Sequence, residues 1–385
     1  MLRFLTAGES HGPTLTAIID GLPAGLALDG EAIDRDLRRR QGGYGRGGRQ
    51  QIERDHAEIT GGLVNGATIG APLAIQIVNR DWENWRGREV APWRRPRPGH
   101  ADLAGAYKYG LDDLRLIAER ASARETAARV AVGAVAKALL APAGARVASY
   151  VEAIGGVRAD VEGIPLEERL ERALVSDVSC PDSVAAQAMR SAIDAARAAG
   201  DSLGGLAVIV ALGVPVGLGS HVQWDRRLDG RLAQAVMSVQ AVKGVEIGPA
   251  FENAALPGTR VHDALYPADA GVWATGRSPI RSGHPRPVRR TNRAGGLEGG
   301  MSNGEPIVVR AALKPIPTTL SPQPTVDLDT GQAVETQYQH SDVCAVPAAA
   351  VVAEAMVAWV LADAVLERYG GDHVDVLVRR VNDDR

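Results

Sequence analysis

The stretch from Arg97 to Thr126 restricts the fold of this chain more than any other part of its sequence. Its first part reads Arg97-Pro98-Gly99-His100-Ala101-Asp102. Pro98 lacks an amide donor and Gly99 frees the backbone, so these residues cannot lie inside a helix. The sequence therefore predicts a constrained loop that carries His100 between an arginine and a carboxylate.

The second part of this stretch, Glu119 to Thr126, predicts the start of a helix. Ser122 and Glu125 have the spacing of a capping box, and an apolar run follows them at Val130, Val132, Val135 and Leu139. A helix N-terminus presents free amides and a positive dipole end, so it suits an anion, and Arg120 and Arg124 add fixed charge. A capped core helix with its arginines in water would explain the same residues.

Composition narrows the class of protein. With 385 residues, 45% hydrophobic residues and a formal charge of -3, the chain suits a soluble globular protein of one large domain or two. The near-neutral charge argues against a dedicated nucleic-acid binder, and 4% aromatic residues leave few platforms for stacking bases. Cys180 and Cys344 provide neither a disulfide framework nor a metal site.

Two features bear on the compartment. The run after Arg3 is too short for the hydrophobic region of a signal peptide. The most membrane-like segment, Ala345 to Leu361, contains Pro347 and Glu354 and predicts a buried helix instead of a membrane span. We therefore expect a cytoplasmic protein without a membrane partner.

A glycine-framed motif, Gly8-Glu9-Ser10-His11-Gly12, precedes a predicted strand at Leu15 to Ile19. The two glycines indicate a backbone that turns tightly or approaches a ligand. Ser10 beside His11 resembles a nucleophile with its base, but adjacent residues of a strand point to opposite faces and rarely form that pair. We favour His11 as a general acid or base over a serine hydrolase, and a turn histidine in water is the remaining alternative.

Arginines surround a second glycine-rich segment. A helix predicted at Glu31 to Arg40 ends in three arginines, where cations stabilise the negative dipole end. The glycines of residues 41–49 match dinucleotide-loop spacing, but that loop must follow a strand. What remains is a flexible loop whose Arg40, Arg46 and Arg49 suit phosphates and carboxylates. An RGG-type RNA-binding segment is the alternative. Only four of the 43 basic residues are lysines. Because arginine is so common in this chain, a run of arginines is weaker evidence for a binding site than usual.

The other periodic runs indicate further strands and helices. The predicted strands are Gln51 to Thr60, Leu73 to Val78, Arg146 to Val157, Leu206 to Leu212 and Ile307 to Leu313. The predicted helices are Ser183 to Ala199, Arg226 to Val242 with Gln240-Ala241 in its last turn, and Ala348 to Tyr369. Because strands and helices do not alternate strictly, we predict an α+β fold with helices and sheets in separate layers.

Four irregular segments are candidates for function. The tryptophan-bearing loop Asp81 to Arg97 suits a lid or an oligomer contact. The polar loop His262 to Glu305 contains a glycine-dense run, Asn292 to Gly304, that can wrap a flat or phosphorylated ligand. Two prolines stiffen Lys314-Pro315-Ile316-Pro317-Thr318 and hold its lysine in place. Asp342 precedes a helix, which it could also simply cap. Residue chemistry thus predicts an enzyme that acts on a multiply anionic small molecule without a metal.

Six motifs, in this order, resemble those of the chorismate synthase family. They are Gly8 to Gly12, Arg97 to Asp102, Arg120 to Thr126, Ala294 to Gly304, Lys314 to Thr318 and Asp342-Val343-Cys344-Ala345-Val346-Pro347, and they span nearly the whole chain. The resemblance implies a lyase of the shikimate pathway of aromatic amino acid biosynthesis. Its reaction converts 5-enolpyruvylshikimate 3-phosphate into chorismate by 1,4-elimination of phosphate. The resemblance also implies reduced FMN (FMNH2) with no net redox change, a layered β-α-β sandwich formed by residues 1–385 as one domain, and a homotetramer.

The same resemblance implies roles for individual residues. His11 matches the family histidine assigned to protonation of the reduced flavin, and His100 matches the one assigned to phosphate departure. Asp342 matches the family aspartate that lies near the reactive nitrogen of the flavin. In the family, this nitrogen takes the substrate proton. The implied substrate-binding residues are Ser10, Arg40, Arg46 and Arg124, and Arg40 and Arg46 are also linked to NADPH in some members. The implied cofactor-binding residues are Arg40, Arg46, Arg120, Ala121, Ser122, Gln240, Ala241, Gly299, Lys314, Pro315, Ile316, Pro317, Thr318 and His340.

One position departs from the family pattern. Family members usually carry an arginine two residues before the aspartate, and this chain has His340 there. A neutral histidine supplies no fixed guanidinium fork at pH 7, so either the remaining arginines hold the anions or binding is weaker. We expect His340 beside the flavin, where only its protonated form can replace an arginine. The lack of an extra domain favours an outside source of reduced flavin over reduction by bound NADPH.

Overall fold

Two antiparallel β-sheets enclose a layer of α-helices, in a computed structural model that describes residues 2–48, 52–267, 287–338 and 342–384. The strands are β1 (Arg3–Ala7), β2 (Thr14–Asp20), β3 (Glu58–Gly61), β4 (Leu63–Val64), β5 (Ala67–Thr68), β6 (Leu73–Val78), β7 (Arg146–Ile154), β8 (Val157–Arg158), β9 (Gly205–Leu212), β10 (Val242–Ile247), β11 (Leu265–Tyr266), β12 (Val288–Arg289), β13 (Leu297–Glu298), β14 (Met301–Ser302), β15 (Ile307–Leu313), β16 (Pro324–Val326) and β17 (Ala333–Glu335). The helices are α1 (Gly30–Gln41), α2 (Asp102–Tyr109), α3 (Leu114–Ala121), α4 (Thr126–Leu140), α5 (Leu166–Val175), α6 (Ser183–Ala198), α7 (Leu228–Met237), α8 (Ala250–Asn253), α9 (Gly258–Val261), α10 (Val346–Tyr369) and α11 (Val374–Asp384). The predicted α+β class and the layered β-α-β sandwich are confirmed.

The first sheet has the strand order β1-β2-β6-β3, and all its neighbours are antiparallel. On β2, Leu15, Ala17 and Ile19 are buried and the residues between them are more exposed, which is the period of two of a half-buried strand. Alternate residues of β6 continue the same buried face. The turn between β1 and β2 places His11 at one end of this sheet.

The second sheet has the order β10-β15-β9-β7-β8. Its central strand β9 is buried on both faces, because α10 covers one face and α5 covers the other through Leu170 and Ala173. A β-bulge between Val242 and Gly244 leaves Lys243 outside the ladder that joins β10 to β15.

Helices α4 and α10 fill the space between the sheets. Helix α4 packs on the first sheet, α10 packs on β7 and β9, and the two helices pack on each other. A Cβ on Gly133 would lie 2.2 Å from the Cβ of Ala355, so this crossing requires glycine. Residues Leu114–Ala143 and Val346–Tyr369 are long and apolar enough to cross a membrane, but 89% of the most apolar window of α10 is buried in the protein. The predicted buried helix is thus confirmed.

Two predicted elements are wrong in part. The strand predicted at Gln51 to Thr60 is confined to β3 in the described residues, because Glu53 and Asp55 turn inward to pair with a buried arginine. The helix predicted at Arg226 to Val242 is confined to α7, because its last residue instead begins β10, where a β-branched side chain packs well. The dipeptide Gln240-Ala241 therefore lies in a turn and not in a helix.

The long polar segment His262 to Glu305 is more regular than predicted in its described part. It contains two short antiparallel pairs, β11 with β12 and β13 with β14, and residues 268–286 lie outside the described residues. The tryptophan-bearing loop begins with a 3-10 turn at Arg80–Asn84. The strand predicted at Arg146 to Val157 is divided by a turn into β7 and β8.

A charged cluster is buried inside the helix layer. Glu354 on α10 is 1% exposed, and its carboxylate accepts hydrogen bonds from Arg39 at 2.8 and 2.9 Å, from Ser149 Oγ at 2.6 Å and from Lys137 Nζ. Burial alone would raise the pKa of Glu354, but Lys137 and Arg39 outweigh it and lower this pKa to about 2. The carboxylate is therefore ionised in the protein interior.

We expect Glu354→Gln to lower the free energy of unfolding by about 3–5 kcal/mol, because Arg39 and Lys137 lose their most deeply buried carboxylate and share only Asp36. In the wild type, the stability that this carboxylate contributes is present above its unfolded pKa of 4.5 and declines as the pH falls toward 2. Urea unfolding at pH 7 measures the change. Glu168→Gln is the control, since Glu168 and Arg172 form an exposed pair on α5. Equal stabilities of the two variants would contradict this role of Glu354.

Candidate active site

His11 lies on the turn between β1 and β2, and Glu119 in the last turn of α3 holds it at two points. The two carboxylate oxygens of Glu119 accept the backbone N–H and Nδ1 of His11, each at 2.7 Å. Because a carboxylate only accepts, Nδ1 donates, and Nε2 is the nitrogen that can exchange a proton. Trp85 packs on the imidazole with ring centroids 4.2 Å apart, and the Asp81 carboxylate lies 4.0 Å from Nε2. This geometry suits a fixed general acid or base.

Ser10 and Ser122 join this turn to the entrance of α4. Ser10 is 4% exposed, and its Oγ donates to Ser122 Oγ at 3.1 Å. Ser122 follows Ala121 at the end of α3, and its Oγ accepts the N–H of Arg124. Ser122 therefore caps the 3-10 turn Ala123–Glu125 that precedes α4.

Arg40 and Arg124 lie on either side of Asp55, and both are buried. Arg124 donates from Nη1 to Asp55 Oδ1 at 2.6 Å and from Nε to Asn79 Oδ1 at 2.7 Å. Arg40 donates from Nη1 to Asp55 Oδ2 at 3.4 Å and from Nε to Thr126 Oγ1 at 2.8 Å. Burial lowers the pKa of Arg40 to about 10, with Asp55 opposing the shift and Arg124 adding to it. The Arg40 guanidinium is thus charged at neutral pH.

Asp342 fastens the glycine-rich loop to the segment before α10. It accepts the N–H of Gly47 at 2.6 Å and pairs with Arg46 Nη1 at 2.8 Å. Among the described residues no side chain caps α10, whose N-cap is Ala345, so the capping interpretation of Asp342 is wrong. Arg40 and Arg46 are turned into the protein, whereas an RGG segment needs exposed arginines, and Arg49 lies outside the described residues. The RNA-binding alternative therefore loses its support.

His100 lies on the predicted loop directly before α2, and Asp102 fixes its ring. The distance from His100 Nδ1 to Asp102 Oδ1 is 2.5 Å, and Arg97 donates to the same carboxylate from Nε at 2.7 Å. Burial alone would raise the pKa of Asp102, but hydrogen bonds from His100 and Arg97 hold it well below its usual range. The ionised carboxylate accepts Nδ1–H, which leaves Nε2 of His100 to hold or transfer a proton.

The segment Lys314 to Thr318 lies against the His100 loop. Lys314 Nζ donates to the carbonyl oxygen of Gly99 at 2.9 Å. The backbone N–H of Lys314 donates to the carbonyl oxygen of Ala241, also at 2.9 Å. Ala241 has a φ of +69°, which is uncommon for a residue with a Cβ and marks a constrained turn.

Gln240, next to that turn, binds Glu125 at the entrance of α4. Gln240 Nε2 donates to Glu125 Oε1 at 3.0 Å, and Arg129 pairs with the same oxygen at 2.6 Å. The capping box predicted from Ser122 and Glu125 is therefore wrong for Glu125, whose carboxylate binds Gln240 and Arg129 instead. Two buried acceptors, Gln240 Oε1 and Glu125 Oε2, accept no hydrogen bond from the described part of the chain. Two buried donors, Arg124 Nη2 and Arg46 Nε, likewise donate none to it.

Further hydrogen bonds bring these segments to one end of the sandwich. Asn79 Nδ2 donates to the carbonyl oxygen of Gly12 at 2.7 Å, so the residue that binds Arg124 also holds the His11 turn. Ser202 Oγ donates to the carbonyl oxygen of Ile316 at 2.7 Å, and the N–H of Leu203 donates to that of Val343 at 2.8 Å. The Lys314 and Asp342 segments thus flank the same loop.

The set of predicted site residues is completed by Arg120, Gly299 and His340. Arg120 is exposed and donates to the carbonyl oxygens of Thr6 and Gly8, so it supports the end of β1. Gly299 lies in the turn between β13 and β14, and no hydrogen bond or ion pair between described residues joins it to the histidine loops. His340 lies outside the described residues.

The described residues add no metal centre to this site. They contain no group of three or more His, Cys, Asp or Glu side chains that could hold a metal ion. A cavity of about 430 Å³ lies between the loop before α1, the end of α4 and α11, and none of the predicted site residues lines it.

Comparisons with known proteins agree with the six motifs. The family model described as chorismate synthase matches residues 2–366. The chain is 55% identical over 381 residues to the chorismate synthase of Geobacter sulfurreducens, covering 97% of this chain and 95% of that protein. It is 56% identical over 390 residues to that of Moorella thermoacetica, covering 99% and 97%.

A solved structure shows the same likeness in three dimensions. A crystal structure of a chorismate synthase matches with a TM-score of 0.79 and 44% sequence identity, covering 99% of this chain and 96% of that chain. The resemblance inferred from the motifs is confirmed, and the chain belongs to the chorismate synthase family.

Proposed function

We propose that this protein is a chorismate synthase, a carbon-oxygen lyase that converts 5-enolpyruvylshikimate 3-phosphate into chorismate and phosphate by 1,4-elimination. One observation carries the proposal: two histidines are each oriented at Nδ1 by a carboxylate, with Arg97 bound to the carboxylate of one and the buried Arg124 joined through Asn79 to the turn of the other. The substrate has two carboxylates and a phosphate, which arginine forks bind well. Elimination also needs placed acids and no nucleophile.

The cofactor that this reaction needs is reduced FMN, and the polar groups at the site suit it. Gln240 Oε1 and Glu125 Oε2 are buried acceptors that bind no donor of the described residues, which fits the hydroxyl or N–H groups of a flavin. Lys314 offers an ammonium for a phosphate. The residues that would hold the flavin are Arg40, Arg46, Arg120, Ala121, Ser122, Gln240, Ala241, Gly299, Lys314, Pro315, Ile316, Pro317, Thr318 and His340.

Each side chain then has a defined task. Arg40, Arg46 and Arg124, with Ser10, orient the anionic substrate, and Asp342 holds Arg46 in position. His100 donates from Nε2 to the departing phosphate, because Asp102 keeps its Nδ1 engaged. A bound reduced flavin would supply an electron-rich ring and a basic nitrogen for the substrate proton, without net redox change. His11 holds a proton at Nε2 beside that ring.

The remaining properties follow from the proposed function. We propose that residues 1–385 act as one domain, which the continuous hydrophobic core beneath both sheets supports. A homotetramer in the cytoplasm, without nucleic-acid or membrane partners, is what the family resemblance implies. The family resemblance links Arg40 and Arg46 to NADPH as the flavin reductant, and the alternative is reduced flavin from an outside source.

Anaerobic phosphate release tests this function. The purified protein with chemically reduced FMN is expected to release phosphate from 5-enolpyruvylshikimate 3-phosphate, whereas oxidised FMN supports no release. A gel shift with single-stranded RNA at increasing salt examines the rejected alternative. The absence of phosphate release, together with tight RNA binding, would overturn the proposal.

A further inference from the structure

Two lysines at one end of the second sheet have no carboxylate partner among the described residues. Lys243 and Lys314 are two of only four lysines in the chain. The Lys314 ammonium donates to the backbone oxygen of Gly99, and neither lysine makes an ion pair with any other residue that the structure describes. By contrast, Lys137 pairs with both Asp36 and Glu354. The ammonium groups of both lysines are therefore available to an anion from outside the protein.

The strand geometry brings the two lysines together. Val242 pairs with Leu313 and Gly244 pairs with Ala312, so Lys243 is the extra residue of a β-bulge. Lys314 directly follows Leu313 on the neighbouring strand. Bulges re-aim side chains and are frequent beside active sites. Lys243 is exposed. Burial of Lys314 lowers its pKa, and the charge of Lys243 lowers it further, as expected for two neighbouring ammonium groups.

Two adjacent ammonium groups repel each other unless an anion lies between them. A phosphate monoester carries close to two negative charges at pH 7 and offers several acceptor oxygens. The neighbouring Gly99 is the residue before His100, so such a phosphate would lie beside the loop of that histidine. We infer that Lys243 and Lys314 together bind the phosphate of a phosphomonoester, with Lys243 as a binding residue that no sequence motif indicated.

The inference rests on the proposed function for its two sources of phosphate, because FMN and 5-enolpyruvylshikimate 3-phosphate are both phosphomonoesters. Lys243→Gln separates them. If the phosphate belongs to FMN, quenching of flavin fluorescence will show an FMN dissociation constant about 10- to 100-fold higher, with riboflavin affinity unchanged. If it belongs to the substrate, FMN affinity will stay constant and the KM of the substrate will rise by that factor.

Three controls complete the experiment. Lys243→Arg is expected to keep the affinity that Lys243→Gln loses, and Lys108→Gln, on the exposed end of α2, is expected to change nothing. Inorganic phosphate is expected to raise the Tm of the wild type more than that of Lys243→Gln. This readout does not depend on flavin, so a wild type that binds no FMN would refute the proposed function alone. Unchanged phosphate, FMN and substrate binding in Lys243→Gln, or equal weakening of FMN and riboflavin, would overturn the inference.

Discussion

Replacing His11 with alanine is expected to lower the rate of phosphate release by about 10²- to 10⁴-fold, the range for a lost general acid or base. Glu119 accepts Nδ1–H at 2.7 Å, so the variant loses the one imidazole nitrogen that is placed to exchange a proton. The fold should survive, because the side chain is 23% exposed and belongs to a turn. Phosphate release with reduced FMN gives the rate, and urea unfolding gives the stability.

Two further variants separate the chemistry of His11 from its packing. Glu119→Gln keeps the size of the side chain but replaces one acceptor with a donor, so it should lose the fixed Nδ1–H tautomer and part of the rate. Glu9→Gln changes an exposed carboxylate of the same turn and should leave the rate unchanged. If His11→Ala unfolds, or if it retains the wild-type rate, the catalytic assignment of His11 is wrong.

Replacing His100 with alanine is expected to lower the same rate by about 10²- to 10⁴-fold, because the departing phosphate loses its proton donor. Asp102 stays ionised and paired with Arg97 in this variant, so the loop should keep its shape. Flavin affinity should not change. Steady-state rates and flavin fluorescence titration on one preparation measure both quantities.

Asp102→Asn provides the contrasting case. It leaves the buried Arg97 guanidinium without its charge partner, so it should cost about 3–5 kcal/mol of stability as well as rate. A His100→Ala variant that loses stability to the same extent would show that His100 is a structural part of the loop instead of an acid.

The sequence predicted the elements whose burial is periodic or continuous. Strand β15 alternates buried and half-buried residues, and α10 is a long apolar run ended by glycine, so both could be located without a structure. The boundary between α7 and β10 could not be located without a structure. Leu228, Leu232 and Val236 continue a helical period toward Val242, and only the pairing of Val242 with Leu313 decides that a strand begins there.

The same limit applies to the site. The glycine-framed histidines stand out locally, because Gly99 is followed at once by a loop histidine. Their partners do not: Glu119 is 108 residues from His11, and Asp55 is 69 residues from Arg124. Each is a lone carboxylate in an ordinary segment, and its function depends on a contact that only the folded chain creates. Glu125 shows the converse error, since its local spacing suggested a cap and its carboxylate binds Gln240.

The most direct test of whether this protein is a chorismate synthase compares the amounts of chorismate and phosphate formed with the amount of flavin present, under anaerobic conditions. A small amount of enzyme with reduced FMN is given excess 5-enolpyruvylshikimate 3-phosphate, and chorismate, phosphate and the flavin spectrum are followed together. We expect chorismate and phosphate to form one for one over many turnovers while the flavin remains reduced. Phosphate without chorismate, or product that stops once the flavin has been oxidised in equal amount, would contradict the proposed elimination.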